Sequence, residues 1–236
     1  MPMLEELKAK VCEANLALVR GGLVTLTWGN VSGISEDREW VVIKPSGVDY
    51  DAMRPKHMVV VDLDGNVVEG DLRPSTDTPS HLALYKAFNA IGGVTHTHST
   101  HATMFAQARI EIPCFGTTHA DHFFGAVPVT RPLTREEVDA AYEANTGEVI
   151  AERFATINPV EMPAVLVAGH APFTWGATAT AAMNNAVALE AVAQMALGTM
   201  TLGKLSGDDA PALEDYMLNK HYQRKHGKDA YYGQDE

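Results

Sequence analysis

The chain is short of cationic residues, cysteines and uninterrupted apolar runs, and each shortage closes off a class of function. Its 18 lysines and arginines stand against 30 aspartates and glutamates, a formal net charge of -12. Phosphate backbones are held by basic patches, so no nucleic-acid partner is expected. A small phosphate ester could be held only where cationic and amide donors are gathered locally. The two cysteines, Cys12 and Cys114, have neither metal-type nor framework spacing, which points to a reducing compartment. No window reaches the ~18 to 20 uninterrupted apolar residues of a membrane span. The opening "MPMLEELKAKVCEANLALVRGG" is charged and helical in period, without the apolar core of a signal peptide. The expected location is the cytoplasm, with no membrane partner.

What is present is ordinary for a globular protein: 46% hydrophobic and 20% charged residues over 236 positions, enough to bury a substantial core. No break in composition divides the chain, so one domain over residues 1–236 is expected. Leu4, Leu7, Val11, Ala14 and Leu18 recur at spacings of three and four and mark one face of a helix, stopped by Gly21 and Gly22. "EWVVIKP" and "HMVVVDLDGNVVEGD" predict strands, the second folded into a hairpin around Asp64-Gly65. In "PSTDTPSHLALYKAF", Pro79 near the first helical position places Ser75, Thr76, Asp77 and Thr78 at a helix N-terminus. "GGVTHTHS" predicts a strand and "STHATMFAQA" the helix after it. Thr134 and Glu137 match a capping box. "PAVLVAGHAPFTWG" reads as a short apolar strand ending at Gly169-His170. "TATAAMNNAVALEAVAQMAL" and "PALEDYMLNKHYQRKHG" predict two C-terminal helices, the last beginning near Pro211. Strands interspersed with helices predict an α/β fold, a mixed sheet covered by helices on both faces.

His96 and His98 sit one residue apart at the end of the predicted strand. On a strand, residues i and i+2 point the same way, so both imidazoles would face one point; on a helix they would lie about 200° apart. Alone, the pair reads equally well as one hydrogen-bonded core histidine and one facing water. A third histidine, His170, leaves the end of another strand, and Asp77 stands at a helix start. Three neutral imidazoles and a carboxylate make a divalent site typical of zinc. Asp77, the hard oxygen donor, is the ligand expected to move when substrate arrives. For His57, His81, His101, His119, His122 and His226 the expected role is surface or core hydrogen bonding. In "GTTHADHFFG", Asp121 is a turn residue or, near a metal, a candidate proton carrier.

"TWGNVSG" and "IKPSGVD" flank strands and offer backbone N–H groups, the Ser32 and Ser46 hydroxyls, the Asn30 amide and the Lys44 ammonium. Together with the helix start at Ser75 and Thr76 these are groups that cradle phosphate, although each loop by itself reads first as a plain turn. By composition, Tyr231 and Tyr232 belong to an exposed tail.

Six motifs run in order from near residue 4 to residue 234: "LVTLTWGNVS", "VIKPSGVDY", "PSTDTPSH", "THTHSTHAT", "GTTHADHFFG" and "KHYQRKHGKDAYYGQ". Together they resemble the ribulose-phosphate epimerases of the class II aldolase family. The resemblance implies a largely antiparallel central sheet sandwiched between helical layers. It also implies a homotetramer of four-fold symmetry with sites at subunit interfaces, where the C-terminal tail (227–236) packs. It implies one zinc ion per subunit held by Asp77, His96, His98 and His170, a site that could also take another divalent metal such as manganese. It assigns phosphate contacts to Asn30, Ser46, Gly47, Ser75 and Thr76, with Lys44 nearby. It makes Asp121 and Tyr232 the acid/base pair, Tyr232 coming from the neighbouring subunit, and gives Thr117, Glu143, His221 and Arg224 supporting positions. The implied reaction interconverts L-ribulose 5-phosphate and D-xylulose 5-phosphate by breaking and remaking the C3–C4 bond, with zinc stabilising the enediolate.

Thr76 departs from the family pattern, which has a second serine there, and a threonine hydroxyl can make the same bond. Asp235 and Glu236 extend the tail, with no function attached. Three other readings remain open: an aldolase that releases its fragments, a scaffold without metal like the adducin head, and a 4-epimerase acting on L-xylulose 5-phosphate. Aldolases of the family tend to carry a glutamate base where this chain has Asp77, which favours the epimerase.

Overall fold

In the computed structural model, which describes residues 2–232, the valine-rich runs become the centre of a seven-stranded sheet. The strands are β1 (Asn30–Ile34), β2 (Trp40–Ile43), β3 (Val59–Asp62), β4 (Val67–Glu69), β5 (Gly93–His96), β6 (Ala164–Leu166) and β7 (Pro172–Gly176), in the order β4-β3-β2-β1-β5-β7-β6. Every pairing among these strands is antiparallel, and a parallel contact, the isolated bridge between Val129 and Leu166, stands outside the strand pairings. Both faces are covered. Val60, Val42 and Val31 pack beneath α1 (Pro2–Arg20), whereas Val59, Val61, Val41 and Val94 turn to the opposite core with Leu82 and Tyr85 of α2 (Thr78–Ala87). Burial on two sides makes these strands read as unbroken apolar runs rather than alternating ones.

The other helices are α3 (Thr100–Ala108), α4 (Thr117–Ala120), α5 (Arg135–Arg153), α6 (Ala179–Ser206) and α7 (Asp215–His226). The Thr134–Glu137 capping box is present, and the hairpin turns at Asp64-Gly65 as expected. α7 begins at Asp215, four residues after Pro211, and α6 runs beyond Leu197 to Ser206 before Gly207 ends it at φ 86°. By length and composition α6 is apolar enough to cross a membrane, with a window of mean hydropathy 1.3. Asn184, Asn185 and Glu190 interrupt it, so it contains no uninterrupted apolar run of spanning length. One side of α6 packs on α1 through Ala179, Met183 and Ala186, and Leu189, Val192 and Ala193 share the core that holds Phe105 of α3.

The start of α6 explains the paired glycines before the histidine strand. A Cβ on Gly93 would meet the Ala179 backbone N at 2.4 Å, and one on Gly92 the Ala177 carbonyl oxygen at 2.1 Å. Only glycine lets this helix close over β5.

Glu190 of α6 anchors the other end of the histidine segment. Its carboxylate accepts from the N–H groups of His101 and Ala102 at 2.9 and 3.0 Å, capping α3, and lies 2.7 Å from His101 Nδ1. Burial pushes this carboxyl up, but the α3 N–H donors and His101 outweigh it and its pKa lies below the ordinary glutamate value. A depressed folded pKa gives stability that is full above the unfolded value of about 4.3 and is lost as pH falls through the folded one. Glu190→Gln is expected to cost about 1–2 kcal/mol at neutral pH. It should also flatten the acid limb of a Tm-versus-pH curve, and an unchanged acid limb would contradict the cap's role.

Candidate functional site

β5 sits between β1 and β7, and register sets Asn30 opposite His96 on one side and Phe173 opposite it on the other. His96 is buried and stacks on Phe173, with ring centroids 4.2 Å apart. Its Nδ1–H donates to the Pro172 carbonyl at 2.9 Å, leaving Nε2 free. His98 follows in the loop after β5 and is exposed, and His170 comes from the turn between β6 and β7. One ring nitrogen from each of the three lies within 4.8 Å of the others. Three nitrogens bound to one zinc would be about 3.4 Å apart, so small side-chain rotations close the set. Burial lowers the pKa of His98 and brings that of His170 to about 4, which keeps their lone pairs available at neutral pH.

Asp77, the expected fourth ligand, is the N-cap residue of α2 and lines the same cleft. It does not join the three imidazoles within the 4.8 Å spacing. Its Oδ2 instead accepts from Asn30 Nδ2 at 2.6 Å. Burial pushes this carboxyl upward, but His96, His81 and the Asn30 amide outweigh it, and Asp77 stays ionised below the usual carboxylate range.

The cleft measures about 470 Å³, a size suited to a small ligand, and gathers Thr27, Trp28, Gly29, Asn30, Lys44, Ser46, Gly47, Ser75, Thr76 and Asp77 around His96 and His98. Two loops and a helix start, separated by more than forty residues in places, thus converge on the histidines. Lys44 is 2% exposed, its Nζ donates to the Thr27 carbonyl at 3.1 Å, and burial lowers its pKa. No carboxylate among the described residues lies within ion-pairing distance of it. Asn30 Nδ2 also donates to Ser75 Oγ at 3.1 Å, so both amide hydrogens are committed. Its buried Oδ1 has no partner, an acceptor suited to a ligand hydroxyl rather than to a phosphate oxygen.

A second cluster lies on α4 and α7. Asp121 accepts from Arg224 Nε at 3.1 Å and Nη2 at 2.7 Å, and its Oδ1 is 3.1 Å from His221 Nδ1. Burial raises this carboxyl, but the Arg224 and His221 hydrogen bonds outweigh it, and the net pKa is depressed. His226 Nε2 donates to the Asp121 carbonyl at 2.9 Å. The same Arg224 guanidinium lies 4.9 Å from the Tyr232 ring centroid, and the Tyr231 and Tyr232 N–H groups donate to the Arg224 carbonyl. Thr117 begins α4, and its carbonyl accepts from the Asp121 N–H. Asp121 and Tyr232 therefore hang on one guanidinium of one chain, and neither lines the cleft around His96 and His98. Glu143 is on α5, where its carbonyl accepts from Ser80 Oγ at 2.5 Å. The tail beyond Tyr232, with Asp235 and Glu236, is outside the described residues.

Of the remaining histidines, His57, His81, His101, His119 and His226 make side-chain hydrogen bonds, and the His122 ring lies 6.1 Å from that of Phe123. His81 is fully buried, with Nδ1 2.7 Å from Ser32 Oγ, and burial lowers its pKa to about 3. His119 Nε2 donates to the Gly125 carbonyl at 2.8 Å. Two residues of the site region were not singled out in the sequence. Trp28 lies within a quoted motif, is half exposed and faces His98 at a ring distance of 6.2 Å. Tyr142 carries no motif at all, yet its hydroxyl lies 3.3 Å from His170 Nδ1.

Residues 9–197 match the family described as Class II Aldolase and Adducin N-terminal domain. Over 234 residues the chain is 53% identical to the L-ribulose-5-phosphate 4-epimerase UlaF of Salmonella paratyphi C (strain RKS4594), covering 98% of this chain and 100% of that protein. The protein of the same description from Salmonella typhi is 53% identical over 231 residues, at 98% and 100% coverage. An L-fuculose 1-phosphate aldolase structure superposes with a TM-score of 0.75 at 26% identity, over 93% of this chain and 95% of that one. The L-fuculose 1-phosphate aldolase from Glaciozyma antarctica PI12, at 18% identity, a TM-score of 0.75 and coverage of 96% and 84%, shares the fold.

Proposed function

We propose the activity of this chain from one premise: it belongs to the class II aldolase and adducin N-terminal domain family. It is an L-ribulose-5-phosphate 4-epimerase, an isomerase acting on a pentulose 5-phosphate. The observation that carries this reading is a cleft in which His96 and His98 meet a set of phosphate donors, with a ring nitrogen of His170 within 4.8 Å of theirs. His96, His98 and His170 would hold a divalent cation, which we take to be zinc, with Asp77 the carboxylate beside it. The donor set fits, since its nitrogens are clustered and two of its rings, His96 and His170, hold a hydrogen bond on the far side. When bound, such a cation supplies a Lewis acid worth several kcal/mol toward negative charge developing on the substrate.

The C4 hydrogen is not adjacent to the C2 carbonyl, so its direct removal is difficult and inversion proceeds by cleavage between C3 and C4. The fragments are the enediolate of dihydroxyacetone and glycolaldehyde phosphate, and the aldehyde rotates and is rejoined on its other face. Lys44, Ser46, Gly47, Ser75 and Thr76 tether the phosphate so that the aldehyde turns without escaping. Asn30 sets the positions of Ser75 and Asp77 and presents its free Oδ1 to a substrate hydroxyl. Asp121, held ionised by Arg224 and His221, accepts the C4 hydroxyl proton on one face, and Tyr232 serves the other. Because the pair shares Arg224 and stands apart from its own chain's cleft, we assign both residues to the cleft of a neighbouring subunit. Thr117 and Glu143 support from α4 and α5.

We assign four copies arranged about a four-fold axis, in the cytoplasm. Met195, Leu202 and Leu205 of α6, 55%, 67% and 79% exposed, supply apolar surface for contacts between them. The deciding experiment follows metal-replete protein by NMR with L-ribulose 5-phosphate and, in parallel, L-xylulose 5-phosphate. Inversion at C4 of the first supports the reading, inversion of the second alone reassigns the substrate, and accumulating glycolaldehyde phosphate makes the protein an aldolase.

Lys44→Met tests the phosphate assignment. A charge-assisted contact is worth about 1.5–3 kcal/mol, so KM is expected to rise ~10- to 100-fold. Removing an unpaired buried cation should not lower Tm. A KM within twofold of the parent would remove Lys44 from the phosphate site.

A further inference from the structure

Helix α5 is broken in its interior at Ala141, whose φ of -164° and ψ of 77° are far from helical. Neither proline nor glycine stands there. The break is instead patched by a side chain: Asn145 Nδ2 donates at 2.7 Å to the Glu137 carbonyl, the oxygen that the Ala141 N–H would take in a regular helix. Just past the break, Thr146 Oγ1 donates to the Tyr142 carbonyl at 2.9 Å, and Ser80 of α2 donates to the Glu143 carbonyl. Gly147, where a Cβ would meet Ala83 Cβ at 2.4 Å, lets α5 close on α2. The residue held by these contacts is Tyr142, which leans on His170 with ring centroids 6.0 Å apart and its hydroxyl 3.3 Å from Nδ1. A helix deformed and then repaired around one residue indicates that the placement of that residue matters.

His170 needs such a partner. It comes from a turn, not a strand, and its backbone follows Gly169 at φ 74°. His96 is fixed by the Pro172 carbonyl and by stacking on Phe173, whereas the hydroxyl of Tyr142 is the side-chain contact at His170 Nδ1. An imidazole that offers Nε2 to a cation carries its proton on Nδ1, and that N–H then donates to the Tyr142 oxygen. The bond fixes both tautomer and ring orientation.

We propose that Tyr142 is a positioning residue for the metal centre, orienting the His170 imidazole so that its Nε2 completes the three-nitrogen set. This rests on the reading of His96, His98 and His170 as metal ligands. Outer partners of this kind are worth ~10- to 100-fold in metal affinity.

The test is zinc affinity, measured by competition against a chromophoric chelator, for the full-length parent, Tyr142→Phe and His170→Ala. The visible spectra of the cobalt-substituted proteins and the Tm of each metal-free protein accompany it. The expected result for Tyr142→Phe is ~10- to 100-fold weaker zinc binding and a shifted cobalt spectrum, at the parent's metal-free Tm. Parent affinity and spectrum in Tyr142→Phe, while His170→Ala loses zinc, would overturn the proposal and leave the metal centre standing. A fall in metal-free Tm that accounts for the lost affinity would also overturn it, by making the role one of general packing. Parent-like zinc binding by His170→Ala would instead overturn the metal centre itself.

Discussion

Tyr232→Phe is expected to lower kcat by about 10²- to 10⁴-fold, the range for loss of a general acid or base, while zinc content, KM and Tm stay at the parent's values. The substitution removes one oxygen and keeps the ring. That ring remains available to the Arg224 guanidinium at 4.9 Å and the Lys225 ammonium at 5.1 Å, so the tail should keep its seat. Steady-state kinetics and metal analysis on the same preparation check it, and near-normal turnover would strip Tyr232 of a chemical role. Asp121→Asn offers a comparison of a different kind. It takes charge away from the bidentate contact with Arg224, and Arg224 also supports Tyr232, so the two substitutions share a partner. Their combined effect should fall short of the product of the single effects, as for groups that act as one unit.

The second large effect is expected from His98→Ala. Loss of the Lewis acid forfeits several kcal/mol, and at 1.36 kcal/mol for each factor of ten this is a fall in turnover of about 10³-fold or more. His98 is the best of the three imidazoles to remove, because it is exposed and its truncation opens no cavity. His96, buried and stacked on Phe173, would bring a stability cost that confuses the result. Metal analysis should show the variant short of zinc at a Tm close to that of the metal-free parent. Chelated parent protein should lose activity to a similar extent and regain it on adding zinc, whereas the variant should not recover at the same concentration. A variant that holds a full complement of metal and turns over normally would dissolve the three-histidine centre.

How far the sequence reveals this arrangement depends on the range of the forces involved. The His-x-His pair, the helix start at Asp77, the hairpin at Asp64-Gly65 and the capping box at Thr134 are set by neighbours within a few residues, and all are legible. β1 is not, because Ser32 and Gly33 interrupt the apolar run of Asn30–Ile34. Ser32 meets His81 and Tyr85 on one face, and on the other Gly33 admits Val11, where a Cβ would sit 2.9 Å from Val11 Cγ2. Those reasons lie in other elements. The break at Ala141 is equally silent, since alanine favours a helix and the compensating group is a side chain four residues on. The bond between Asp121 and Arg224 spans 103 positions, and no local pattern announces it.

Asn30, His96 and Phe173 form one row across three neighbouring strands. Because side chains alternate along a strand, sliding β5 by a single residue would carry the His96 imidazole through the sheet to the layer beneath α1. The centre therefore has no half-assembled version: its chemistry and the threading of the sheet stand or fall together, and variation is confined to the loops beyond the strand ends.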